Sequence, residues 1–129
     1  MKKQTLHVDS ISTLGLALSV GVRSGRMVFV SGMAPLDDEG KLAGVGDIAV
    51  QTRQTMENIV KVLDKGGAKL SDVVKTTIYL TDARHFETVN GIYAEYFPEN
   101  PPARATLQVG MMHPDLMVEI EAIAVVEDA

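Results

Sequence analysis

The stretch MVEIEAIAVV, Met117 to Val126, alternates with the two-residue period of a β-strand. Val118, Ile120, Ala122, Ala124 and Val126 form one unbroken apolar row, which demands a covering layer. The opposite row opens with Met117, Glu119 and Glu121 and closes with Ile123 and Val125. A row that is half polar and half apolar suits a sheet face that no helix covers. Water or a second subunit must meet it, and a symmetric oligomer is the expectation.

Working back from this strand, the extended PPARATLQVG, Pro101 to Gly110, carries Arg104, Thr106 and Gln108 on one side and Ala105, Leu107 and Val109 on the other. DVVKTTIYLT is β-branched and alternating and reads as a strand from about Val73 to Thr81. Two helices separate the strands. Asp47 is placed to cap the first, whose Thr52, Met56, Ile59, Val60 and Leu63 recur at three- and four-residue steps before Gly66 and Gly67 end it. Asp82 is placed to cap the second, with Phe86, Val89, Tyr93, Tyr96 and Phe97 along one face and PENPP as its stop. Near the N-terminus, Leu6 and Val8 mark a short strand. Leu18, Val20 and Val22 lead into a hairpin that turns at RSGR and returns through Met27 to Val30.

The order strands, helix, strand, helix, strands predicts an α+β fold. It is a two-layer sandwich of a mixed sheet with both helices on one face, formed by a single domain over residues 1–129. The chain has no cysteine, which removes disulfides, thiolate metal ligands and cysteine nucleophiles together. The N-terminus has no apolar run behind its lysines and no segment approaches a membrane span, so the expectation is a cytoplasmic protein without a membrane partner. A net charge of −5 with scattered basic residues speaks against a nucleic-acid partner.

Few residues remain to carry chemistry. His7, His85 and His113 lack metal-ligand spacing, so no metal is expected. Ser31 sits outside a nucleophile elbow and reads as a strand-end hydroxyl bonded to backbone, and the GVG at Gly44 lacks the rest of a phosphate loop. Glu119 and Glu121 share a strand face about 7 Å apart and could serve as acid and base, although two such acids are as often simply solvated. Arg104 offers a planar, forked guanidinium that matches a carboxylate. By itself it reads as an ion-pair or surface residue. Against another subunit, a charged pair walled by apolar strands becomes a site for a small anionic molecule.

Five blocks, VFVSGMAPLDDEGKL, DIAVQTRQTMENIVKVL, GAKLSDVVKTTIYLTD, VNGIYAEYFPENPPARAT and VEIEAIAV, resemble the YjgF/RidA family of imine deaminases in order and spacing, from about Gly21 to Val126. The resemblance implies a chorismate-mutase-like fold and a homotrimer with clefts between subunits. It implies hydrolysis of reactive 2-imino or enamino acids to 2-oxo acids and ammonia, a reaction that needs no cofactor, metal or covalent nucleophile. Arg104 matches the family arginine that grips the substrate carboxylate, and Glu119 the glutamate that orients water. Gly32 and Thr106 match positions that line the pocket through backbone groups, and Asn90 matches a pocket-side asparagine that could otherwise be a helix residue bonded to backbone. The chain departs from the family where Pro-Tyr-Ser-Gln is usual. LGLALSV stands there, with Leu18 at the tyrosine position, and PARAT places Ala105 and Thr106 where serine and cysteine are common. Those departures bear on the substrate more than on the reaction, whose first expected substrates are 2-iminopropanoate and 2-iminobutanoate. The alternatives are a deaminase for another unsaturated amino acid in catabolism, a metabolite-binding regulatory trimer without turnover, and RNA cleavage.

Overall fold

A computed structural model describes residues 2–127. Six strands, β1 (Lys3–Leu6), β2 (Gly21–Ser24), β3 (Met27–Met33), β4 (Val73–Leu80), β5 (Ala103–Gln108) and β6 (Val118–Val125), form one sheet in the order β1-β2-β3-β6-β4-β5. The β4–β5 pair is parallel and the others are antiparallel, so the sheet is mixed. Helices α1 (Ile48–Lys65) and α2 (Phe86–Tyr96) complete the α+β architecture expected from the pattern.

Local chemistry sets the element ends. The Asp47 side chain accepts from the Val50 amide and starts α1. Gly67, at φ +79°, supplies the left-handed residue just past the helix end. The β2–β3 hairpin turns through Gly25 at φ +60°, with Ser24 paired to Met27, a conformation glycine accepts without a Cβ clash.

Two expectations shift by a few residues. Asp82 caps a single 3-10 turn, Ala83–His85, through the Arg84 amide, and α2 begins only at Phe86. Leu18 lies outside the hairpin. Leu14 and Gly15 both adopt positive φ, and Leu16 and Leu18 bond back to Thr13 and Leu16, so the chain from Thr13 to Leu18 turns instead of pairing.

The apolar row of β6 is buried as its periodicity requires: Val118, Ile120 and Ala124 are 0% exposed. It packs in one core with Val28 and Val30 of β3, Ile78 and Leu80 of β4, Met56, Ile59, Val62 and Leu63 of α1, and Val89 and Tyr93 of α2; of the expected α1 stripe, Val60 is only half-buried and Val62 takes its place in the core. Thr52 is buried as the stripe requires, and three further polar α1 side chains, Gln51, Thr55 and Asn58, are also buried, which apolar periodicity does not announce. Asn58 donates to the carbonyls of Ala34 and Leu36. Gln51 donates to those of Gly44 and Asp115 and accepts from the Met117 amide. These bonds fasten the loops before α1 and before β6 to the helix, where unmade bonds would be costly.

The other face of the sheet is uncovered. Register pairs Met27 with Val125 and Phe29 with Ile123 on that side. Met27 and Phe29 are exposed and Ile123 and Val125 half-buried.

Candidate functional site

The charged residues of β5 and β6 fall on opposite faces. Arg104 pairs in register with Thr76, which is buried beneath α2 and shares a 2.6 Å hydrogen bond with the Tyr93 hydroxyl. Paired residues in a sheet point the same way, so Arg104, Thr106 and Gln108 lie on the helix side, at the open edge that β5 forms. Gln108 accepts from the Ala83 amide on that side. Glu119 pairs with Tyr79 and Glu121 with Thr77, all on the uncovered face. Within one chain the sheet therefore separates Arg104 from Glu119.

Around Arg104, α2 supplies most of the surroundings. The guanidinium donates from Nη1 to Asn90 Oδ1 at 2.8 Å, so Asn90 is engaged by a side chain and not by backbone. Its Cζ lies 5.0 Å from the Tyr93 ring centroid and 5.7 Å from that of Phe86, within cation–π range. Among the described residues no carboxylate pairs with it, whereas Arg53 and Arg84 have Glu95 and Asp82. An exposed arginine steadied by an amide and two rings, with no counter-anion, is ready for an incoming acid. A cleft of about 390 Å³, lined by Asn90, Tyr93, Ala94, Phe97, Pro102 and Arg104 among others, opens beside it. Burial raises the Tyr93 phenol pKa, and Thr76 and the Arg104 charge oppose that rise. Thr106 is half-buried on the same side of β5, with its hydroxyl buried and unpartnered.

On the other face, Glu119 looks across at Gly32 of β3. A Cβ built at Gly32 would meet the Glu119 carboxylate, which would have to move aside. Tyr79 donates its hydroxyl to Glu121, and the loop after β5 closes the far side, giving a cleft of about 370 Å³ lined by Gly32, Tyr79, Met111, Leu116, Glu119 and Glu121 among others. Burial, and then the Glu121 charge, raise the Glu119 pKa above the ordinary carboxylate value. The Glu121 hydrogen bond and then burial raise that of Tyr79. Among the described residues no hydrogen bond engages the Glu119 carboxylate.

The predicted residues thus fall into two half-sites. Arg104, Asn90 and Thr106 stand on the covered side, and Gly32 and Glu119 on the uncovered one. Leu18, 47% exposed, lies in the turn before β2 and lines neither cleft. Ser31 donates its hydroxyl to Ser19 O at 2.5 Å and its amide to Val20 O, as expected of a strand-end hydroxyl, and this ties the Leu18 segment to the strand carrying Gly32. Sequence reasoning passed over Tyr79. Its only signal was its place in the DVVKTTIYLT alternation, because the pairing with β6 is non-local. Among the described residues no group of three or more His, Cys, Asp or Glu could hold a metal ion, and no helix is long and apolar enough to cross a membrane.

The chain as a whole is similar to known proteins. The family model described as Endoribonuclease L-PSP matches residues 13–126. The 3-aminoacrylate deaminase RutC of Acinetobacter baylyi is 42% identical over 102 residues, covering 79% of this chain and 81% of that protein. Among solved structures, a Thermotoga maritima protein provisionally described as an endoribonuclease superposes with a TM-score of 0.91 at 38% identity, covering 98% of this chain and 99% of its own. RidA from an Antarctic Psychrobacter superposes with a TM-score of 0.87 at 33% identity, covering 95% and 99%.

Proposed function

The chain belongs to the YjgF/RidA family, whose model carries the description Endoribonuclease L-PSP, and on that premise we propose that it hydrolyses reactive 2-imino and enamino acids to 2-oxo acids and ammonia. The observation that carries this reading is the uncompensated guanidinium of Arg104 on one face of the sheet, against the unbonded carboxylate of Glu119 on the other. Neither half-site suffices alone. A substrate held by both must lie between two copies of the chain, with Arg104 from one and Glu119 from its neighbour. The half-apolar uncovered face, with Met27, Phe29, Ile123 and Val125, supports self-association, and a homotrimer closes three such clefts.

In this arrangement Arg104 takes the substrate carboxylate in paired hydrogen bonds. Asn90, Tyr93 and Phe86 keep the guanidinium from collapsing onto an acid of its own chain. The protonated imine carbon is already electrophilic, so catalysis consists of orientation and proton handling. Glu119 accepts a proton from water as its oxygen bonds to the imine carbon and the C=N pair moves to nitrogen. Glu119 returns its proton to the nitrogen of the tetrahedral carbinolamine, the C–N bond breaks with its electron pair leaving on ammonia, and the hydroxyl oxygen forms the 2-oxo C=O as its proton passes back to Glu119. An enamine enters the same route after a proton reaches its β-carbon. The raised pKa of Glu119 suits a group that both takes and returns a proton.

Identity to a 3-aminoacrylate deaminase favours one refinement, an enamino acid from catabolism as the natural substrate. RNA cleavage, suggested by the family description, finds little support in a net charge of −5. The deciding experiment generates 2-iminopropanoate, 2-iminobutanoate and 3-aminoacrylate in turn and follows ammonia and 2-oxo acid release. Glu119→Gln should retain binding of a 2-oxo acid while turnover falls about 10²–10⁴-fold. Unchanged turnover would remove Glu119 from the mechanism, and absence of turnover with every substrate would favour a regulatory, metabolite-binding role.

A further inference from the structure

The uncovered-face cleft holds two acids and one phenol, and the reaction above uses only one of them. Register sets Tyr79 beside Glu119 and Thr77 beside Glu121, yet the Tyr79 hydroxyl bonds diagonally to Glu121. Glu119 is left facing Gly32, where the missing Cβ makes room for its carboxylate. We propose that Tyr79 is a positioning residue for this cleft: by holding Glu121 as a hydrogen-bond acceptor, it gives two neighbouring acids separate tasks and leaves Glu119 alone free to handle water.

The alternative arrangement shows why such a device matters. Two carboxylates on one strand face, their Cα atoms about 7 Å apart, can compete for one water and act on each other through their charges. A phenol donor that satisfies one of them breaks the degeneracy. Held by the phenol, Glu121 does not compete for the water, and burial, then the Glu121 charge, favour a proton on Glu119.

Among the described residues no other donor is hydrogen-bonded to the Glu121 carboxylate. From β3 the lining residue is Gly32, which carries no charge. From the loop before β6 the lining residues are Val109, Gly110, Met111, Met112 and Leu116, with His113 and Asp115 exposed on the same loop. From β4, Lys75 and Thr77 line a separate small cleft with Glu121, and the phenol of Tyr79 is the donor that reaches its carboxylate.

The catalytic use of this pair rests on the deaminase reading, but the pair itself can be tested without it. Carboxyl and phenol carbons of the full-length chain are titrated by ¹³C NMR in the wild type, Glu121→Gln and Tyr79→Phe, with thermal unfolding as a fold control. Glu121→Gln should move the Glu119 midpoint down by about half a pH unit or more, and should lower that of Tyr79. Tyr79→Phe, nearly isosteric, should turn the Glu119 titration into a two-step curve as the freed acids couple. In ammonia-release assays Tyr79→Phe should lower kcat about tenfold with KM within twofold, and should broaden the acid limb of the pH profile. Titrations of Glu119 that coincide in all three proteins would overturn the proposal, as would superimposable pH profiles for Tyr79→Phe and wild type. Should the wild type release no ammonia, the deaminase reading falls and the NMR titration decides the pair on its own.

Discussion

The two faces of the sheet share every strand yet follow different rules. On the helix side, Val118, Ile120, Ala122 and Ala124 vanish into a continuous core, and the charged residue Arg104 sits at the edge, where β5 has no further neighbour. On the uncovered side the same β6 offers Glu119 and Glu121 at one end and Ile123 and Val125 at the other. One face is spent on stability. The other has a polar end, which the proposed reaction would use, and an apolar end, which would suit a second copy of the chain. A single strand serves both because successive side chains point in opposite directions.

The contrast is broken most sharply by truncating one isoleucine from each row. Ile120→Ala should cost about 2–5 kcal/mol of stability, because the cavity opens in a closed core. Ile123→Ala should cost about 1 kcal/mol or less in the folded chain and instead weaken self-association. Urea titration and sedimentation velocity measure the two effects, and equal losses would mean that the faces do not divide the work.

Next in size is Arg104→Ala. Removing a charge-assisted anchor worth about 1.5–3 kcal/mol should weaken binding of a 2-oxo acid by roughly 10- to 150-fold, read by calorimetry, with little change in unfolding. Arg104→Lys should recover only part of that affinity, since an ammonium cannot reproduce the fork. Unchanged affinity in Arg104→Ala would detach the edge of the covered face from ligand binding.

Tyr93→Phe probes the join between core and site. It strips the 2.6 Å bond to Thr76 and leaves a buried hydroxyl unpaired, at a cost of about 1–3 kcal/mol, while the ring remains to flank Arg104. Stability should fall more than ligand affinity, and the reverse would assign Tyr93 to the site and not to the core.

The smallest effect is a pH dependence. Glu119 binds its proton more tightly folded than unfolded, so ionisation opposes folding. Its contribution to stability is present below the ordinary carboxylate pKa and is lost as pH rises through the raised value. Glu119→Gln should flatten that part of the profile, by less than about 1 kcal/mol given the solvent that still reaches the group. Urea midpoints across the acidic range test it, and a variant profile parallel to wild type would deny the shift.

Much of the architecture could be read directly. The β6 alternation, the α1 stripe from Thr52 to Leu63 and the Asp47 cap appear where local periodicity and capping chemistry place them. The buried polar residues of α1 were hidden, because Gln51 and Asn58 are defined by loop carbonyls far along the chain. Leu18 was drawn into the hairpin by its alternation with Val20 and Val22, until the positive φ of Leu14 and Gly15 turned the segment aside.

For the candidate site the division is stricter. Sequence by itself determined which residues share a side of their own strand: Arg104 with Thr106, Glu119 with Glu121. Only tertiary structure decided that these pairs look in opposite directions. That depends on β6 entering between β3 and β4 and on β5 joining β4 in parallel with Arg104 beside Thr76. The phase of a strand's alternation is local, but the face each row meets is set by non-local register, and a slip of one residue would exchange the two.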